Sequence, residues 1–317
     1  MSDTVRPERR REAPKSKGWG AFRLRSHCSL RSARTVFSSR ERGVTVLRKW
    51  FLHWMVAVSL AVPSIIARAD VAYSELAKFW TPDAQRVPYR AIETPGRIDG
   101  EKLPLIVFLH GDWQDGTDNE SQLAGYGNGS MLWLDQAIRG DIPLVYVAPQ
   151  TTGGYWPPRR VASVVRDALK RFPVDPRRIY LTGVSDGGTG VWDALKVWPE
   201  CFAAGVPMSG MTEIAGLASI RDVPEWAFHG AKDNDTDVET GYDGAMVGSR
   251  AVVRALRALG ATPRYTEYPN EMHVIWHHAY STPALLPWLL DQRLDHPPCD
   301  FDVLPAPGAL TWKGGKR

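Results

Sequence analysis

A serine flanked at i−2 and i+2 by glycines is the feature of this chain best suited to chemistry. Gly183-Val184-Ser185-Asp186-Gly187 fits G-x-S-x-G, the pattern of a nucleophile held at the apex of a tight strand-to-helix turn. Alone, the pattern also occurs by chance or closes an ordinary βα turn, so its partners matter. A serine hydroxyl attacks only when a base takes its proton, and that base is usually a histidine held by a carboxylate. For a nucleophile on this kind of turn the chain order is Ser, acid, His. Five histidines follow Ser185: His229, His273, His277, His278 and His296. His273 stands in a polar loop just after an alternating stretch at 264–268, where this order needs its base. His229 ends an apolar run before a glycine and reads as structural, while His277 and His278 lie in a Trp/His/Tyr segment and read as rim residues.

The acid is expected in the loop after the preceding strand. His229-Gly230-Ala231-Lys232-Asp233 puts Asp233 there, with Asp235 and Asp237 as competitors; the alternative for each is a solvated loop carboxylate or a helix cap. Asp233 is preferred because it comes first, where the sheet edge still positions the backbone. An oxyanion hole needs two N–H donors: the residue after the nucleophile, here Asp186, and one from the loop after an early strand, here Asp112. Aspartate at both positions is unexpected, since two carboxylates oppose a developing oxyanion unless they turn away or are paired. Trp113, Trp156 and Trp276 are candidates for an aromatic substrate rim; core packing is the alternative for each.

These residues need elements to hold them. Residues 179–182 (IYLT) read as the buried strand before the turn, and 189–197 as the helix after it. The runs at 104–110 and 143–149 are continuously apolar, as in strands covered on both faces. Residues 204–208, 225–229 and 264–268 read as further strands. Helical spacing covers 130–138, 161–172 (stopped by Pro173) and 248–259 (capped by Gly260), with a short helix at 215–220 and a closing helix at 282–294. A short edge strand is expected within 70–100. Alternating strands and helices predict an α/β fold: a mostly parallel sheet with helices on both faces. Only about 15 residues separate Gly210 from Trp226, too few for an inserted lid domain.

The formal charge of +4 is misleading. Residues 1–69 hold 15 Lys/Arg against 4 Asp/Glu, so removing their +11 from +4 leaves −7 for residues 70–317, and nucleic-acid binding is not expected. Arg48 and Lys49 precede an apolar run at 50–66, and Ala67-Arg68-Ala69 follows. That is the form of a secretory signal peptide cleaved before Asp70; an uncleaved anchor is the rival, at the short limit for a span. Residues 1–43 are Arg- and Ser-rich and too long for an n-region; an unfolded cytoplasmic extension is one reading, and a later translation start near Val44, Val46 or Leu47 is the preferred one. The expected organisation is an N-terminal extension with signal peptide over 1–69 and one catalytic domain over 70–317. The expected location is periplasmic or secreted, with no stable membrane insertion after cleavage. Cys28 falls in the leader, and Cys201 and Cys299 could pair after export or stay single. No metal-ligand spacing such as C-x-x-C or H-E-x-x-H is present.

LPLIVFLHG with GTDN, VAPQ, PVDPRRIYLTGVSDGG, FHGAKD and YTEYPNEMHVIWHHAY occur in this order over roughly residues 103–292. In this the chain resembles serine esterases of the α/β-hydrolase fold, of the polyhydroxybutyrate depolymerase, feruloyl esterase and predicted-peptidase (dienelactone-hydrolase-like) kind. The resemblance implies Ser185 as nucleophile, Asp233 as acid, His273 as base, and no cofactor; the expected substrate is a small-molecule or oligomeric ester, with a peptidase or acyltransferase on the same triad, or a non-catalytic binding protein of this fold, as the alternatives. The chain departs from the pattern in three places. Asp112-Trp113 follows His-Gly where a small residue is common, Asp186 follows Ser185 where Met or Gln is frequent, and Met272 precedes His273 where Gly is frequent.

Overall fold

The computed structural model describes residues 76–124, 128–154, 156–242, 245–296 and 301. Every described residue lies within Ala57–Arg317. The expected signal peptide, Cys28 and Cys299 lie outside the described residues.

Eight strands form one sheet in the order β1-β2-β4-β3-β5-β6-β8-β10. They are β1 (Ala77–Trp80), β2 (Pro88–Glu93), β3 (Leu103–Leu109), β4 (Val145–Pro149), β5 (Val174–Val184), β6 (Ala204–Met208), β8 (Trp226–Gly230) and β10 (Arg264–Tyr268). The β1–β2 and β2–β4 pairs are antiparallel and every other pair is parallel. Two-residue strands β7 (Met211–Thr212) and β9 (Val247–Gly248) pair separately. The helices are α1 (Met131–Arg139), α2 (Pro158–Arg171), α3 (Asp186–Val197), α4 (Ser249–Ala258), α5 (Trp276–Tyr280) and α6 (Leu285–Asp291).

The continuous apolar runs have the reason expected of them. Along β3, Leu103, Leu105, Val107 and Leu109 join one core with residues of α2, α3 and α4. Ile106 and Phe108, on the opposite face of the pleat, join a second core with residues of α1, α5 and α6. A strand buried on both faces cannot alternate apolar with polar. No inserted lid domain stands among the described residues, and none of their helices is long and apolar enough to cross a membrane.

Several elements differ from the sequence expectations. The 70–100 segment supplies two strands: β1 at the sheet edge and β2 inside it. The closing helix expected at 282–294 is shortened to α6, and a separate short helix, α5, precedes it. The Trp/His/Tyr segment forms α5, and Pro283, which cannot donate a backbone N–H, falls between the two. The helix after the turn starts at Asp186, immediately behind Ser185. At 215–220 only a 3₁₀ turn, Leu217–Ile220, is formed.

Candidate active site

The turn between β5 and α3 is built by close backbone approach. A Cβ on Gly183 would sit on the Gly187 carbonyl, and one on Gly187 would sit on the Leu109 carbonyl of β3. Ser185 itself has φ 56° and ψ −120°, a sparsely populated conformation that stores roughly 1–3 kcal/mol of strain. Its N–H donates to the Met208 carbonyl at 2.9 Å, and its carbonyl accepts the Thr189 N–H at 3.1 Å. Sheet and helix therefore hold the strain in place, and the side chain is turned out of the helix.

Ser185 Oγ lies 2.9 Å from His273 Nε2, and His273 Nδ1 lies 2.7 Å from Asp233 Oδ2. A carboxylate can only accept, so Nδ1 carries the imidazole proton and Nε2 accepts from the serine hydroxyl. Asp233 Oδ1 accepts the N–H groups of Asp235 and Thr236 at 2.9 and 2.8 Å. Burial opposes ionisation of Asp233, but hydrogen bonds from His229 and His273 outweigh it and hold the carboxyl well below the usual carboxylate range. Asp237 instead caps its own turn by accepting from the N–H groups of Glu239 and Thr240. Of the three candidate carboxylates, Asp233 is the one the fold brings to His273.

The second expected cradle lies alongside. Asp112 opens the 3₁₀ turn Asp112–Gln114, and a Cβ on the preceding Gly111 would stand 3.2 Å from Ser185 Cβ. The Asp186 N–H is in the first turn of α3, where a helix offers its amides no internal acceptor. The two unexpected carboxylates both reach Gly154: a Cβ there would collide with Asp112 Oδ1 and with Asp186 Oδ2. Asp115 Oδ2 accepts the Gly154 N–H. Burial, and then the neighbouring Asp112, push the Asp115 carboxyl above its ordinary value.

The three tryptophans separate by burial. Trp113 is 63% exposed, whereas Trp156 is 1% and Trp276 is 2% exposed. Trp156 is therefore not a rim residue. Its indole N–H donates to the His110 carbonyl at 2.9 Å and its ring packs edge-on to His110, bracing the loop after β3 from beneath. Trp276 is also interior. It meets His273 and Trp113 edge-on, with ring centroids 5.6 and 6.1 Å away. Met272, next to His273 in sequence, is 53% exposed. His278 stacks on Tyr268 at 4.1 Å.

Three supporting side chains escape a linear reading. His110 Nδ1 faces the Gly111 carbonyl at 2.7 Å and Nε2 accepts the Thr151 N–H at 3.0 Å, so the ring bridges two loops at the site. Burial lowers its pKa to about 4 and keeps it neutral. Ser209, buried with φ 46°, donates to the His273 carbonyl at 2.8 Å. His229, which reads as structural in the sequence, touches Asp233 Oδ2 at 2.9 Å. The i, i+4 spacing of His229 and Asp233 was the only signal for that contact.

No family model matches the chain. A bifunctional acetylxylan esterase/xylanase of Neocallimastix patriciarum is 26% identical over 137 residues, 41% of this chain and 19% of that protein. A thermostable esterase of known structure aligns with TM-score 0.62 and 30% identity over 70% of this chain and 64% of that one. A ferulic acid esterase aligns with TM-score 0.52 and 16% identity over 68% of this chain and 96% of its own, a likeness of fold. This chain thus spans less than a fifth of the curated relative and just under two thirds of the thermostable esterase.

Proposed function

We propose that this chain, which has the α/β-hydrolase fold, is a serine hydrolase that cleaves carboxylic esters through an acyl-enzyme. The observation that carries the reading is the continuous hydrogen-bond chain from Ser185 Oγ through His273 to Asp233. Ser185 Oγ attacks the acyl carbonyl carbon while His273 Nε2 takes the hydroxyl proton. Asp233 keeps His273 in the Nδ1–H tautomer and stabilises the imidazolium. The backbone N–H groups of Asp112 and Asp186 donate to the carbonyl oxygen as it becomes negative. The ester C–O bond then breaks, and His273 passes its proton to the departing alcohol. Water, deprotonated in turn by His273, attacks the acyl-enzyme, releases the acid and restores Ser185.

The choice of an ester is supported by two relatives whose names carry that activity, the thermostable esterase and the acetylxylan esterase/xylanase. Exposed Trp113 and Met272 favour a small-molecule or oligomeric ester that lays an apolar group against them. No step requires a cofactor. We read the protein as exported, periplasmic or secreted. Cys201 is disulfide-bonded, and such bonds persist mainly in oxidising compartments.

The test is Ser185→Ala against the wild type, with a fluorophosphonate label and a panel of p-nitrophenyl esters, feruloyl esters and a peptide amide. The expected result is Ser185-dependent labelling, with ester turnover lost by several powers of ten in a folded variant. Undiminished turnover in Ser185→Ala overturns the mechanism. Labelling with turnover of the peptide amide alone makes the chain a peptidase on the same triad, and neither labelling nor turnover makes it a non-catalytic binding protein on this fold.

A further inference from the structure

Asp233 Oδ2 serves two histidines. It lies 2.7 Å from His273 Nδ1 and 2.9 Å from His229 Nε2. The second ring is wholly buried, and its proton can be located from its partners. His229 Nε2 is also 2.9 Å from the Thr236 carbonyl, which only accepts, so Nε2 bears the hydrogen. His229 Nδ1 lies 2.6 Å from Ser249 Oγ, whose hydroxyl can donate to it. A neutral imidazole protonated at Nε2 satisfies every one of these contacts.

We infer that His229 is a positioning residue for the reaction: it fixes Asp233 Oδ2 beneath His273 and draws off part of the carboxylate's charge. The inference rests on the reading of Asp233 as the orienting carboxylate. The physical need is plain, because Asp233 stands in a polar loop, and a loop alone holds a side chain loosely. His229 is fixed at both ends. Its backbone is in β8, in register with Glu267 of β10, and its ring is tied to Ser249, the first residue of α4. Strand, helix and the 233–236 turn thereby meet at one carboxylate. The charged groups facing His229 are Asp233 in its own turn, His273 across the carboxylate, and Glu267 beside it on β10. Glu267 is engaged by Arg250 at 2.6 Å and Tyr265 at 2.6 Å, so it does not replace Asp233 as the partner of His229.

Removing the His229 N–H has two separable effects. Asp233 loses a constraint, and misplacement on the order of 1 Å at such a site lowers turnover about 10²-fold. The carboxylate also keeps more charge for His273, so the imidazolium forms at higher pH. A histidine that only filled space would alter stability and neither of these.

The experiment compares His229→Leu, His229→Gln and Ser249→Ala with the wild type and Ser185→Ala. It measures fluorophosphonate labelling, and kcat and KM on a p-nitrophenyl ester from pH 5 to 9, with melting temperature as the check on folding. In His229→Leu, kcat is expected to fall about 10- to 100-fold with KM little changed, and the acidic limb of kcat/KM to move to higher pH. His229→Gln offers an amide N–H near the Nε2 position and is expected to recover most of the loss. Ser249→Ala removes the donor that fixes the tautomer; it is expected to lower kcat several-fold and decides the matter if His229→Leu does not fold. A folded His229→Leu with wild-type kcat and an unmoved acidic limb overturns the inference, as does equal impairment of the Leu and Gln variants. If His229→Leu does not fold, wild-type kcat in Ser249→Ala overturns it. Those outcomes leave the ester-hydrolase reading standing when labelling still depends on Ser185. Labelling or turnover that survives Ser185→Ala removes that reading and this inference with it.

Discussion

Glu225→Gln should make the protein more stable, and increasingly so as pH rises. Glu225 precedes β8, bridges Gly205 of β6 and is 2% exposed. Its Oε2 accepts the Trp192 indole N–H at 3.2 Å, and its Oε1 meets no partner among the described residues. Burial outweighs that one hydrogen bond and pushes the carboxyl from 4.5 up to about 8. The folded state therefore keeps a proton that the unfolded chain gives up above pH 4.5. Stability is then full below the unfolded value and falls as pH climbs towards the folded one, by about 1.4 kcal/mol per pH unit. Gln has the same shape, can still accept from Trp192 and does not titrate. Between pH 5 and pH 7 the gap between Glu225→Gln and the wild type should widen by about 3 kcal/mol, or roughly 6–12 °C in melting temperature for a domain of this size. Paired melts at half-unit steps from pH 4.5 to 8 measure it, and other titrating groups cancel in the difference. A gap that stays constant across that range would mean Glu225 is not neutral in the folded protein and would refute the reasoning.

Three further outcomes are expected. Asp233→Asn should lower ester turnover on the order of 10⁴-fold, because the amide presents the wrong partner to His273, while Asp235→Asn and Asp237→Asn stay near wild type; steady-state kinetics on the three variants checks this. Trp113→Ala should raise KM for aryl esters more than for acetyl esters and leave the melting temperature nearly unchanged, because Trp113 is exposed; Trp156→Ala should instead destabilise by about 3–5 kcal/mol, read by denaturant unfolding. N-terminal sequencing of the exported protein should read from Asp70, and a full-length species retained in the membrane fraction would favour the anchor instead.

What can be read along the chain is what depends on neighbours in sequence. The strand–Ser185–helix turn is local, so the glycines at 183 and 187 announce it. The strands at 104–110, 143–149 and 204–208 announce themselves because burial on both faces admits only apolar residues. The chain order Ser185, Asp233, His273 could be proposed from spacing, since each follows a strand of a parallel sheet at the same edge. The direction of a side chain is different, because it depends on segments far apart in sequence. Trp113, Trp156 and Trp276 are the same residue type in similar loop-like contexts, yet one faces solvent and two are interior, according to what α5 and the loop after β4 bring against them. Asp233, Asp235 and Asp237 sit within five residues, and the 233–236 turn, closed by two backbone N–H groups on Asp233 Oδ1, is what aims the first at His273. His229 looks like the buried end of a strand, and only the packing of α4 and that turn around β8 puts its ring on the same carboxylate oxygen as His273. Types and spacing determined which groups this protein has for chemistry; tertiary packing decided which of them meet, because hydrogen bonds form between atoms that the fold, and not the order of residues, brings within 3 Å.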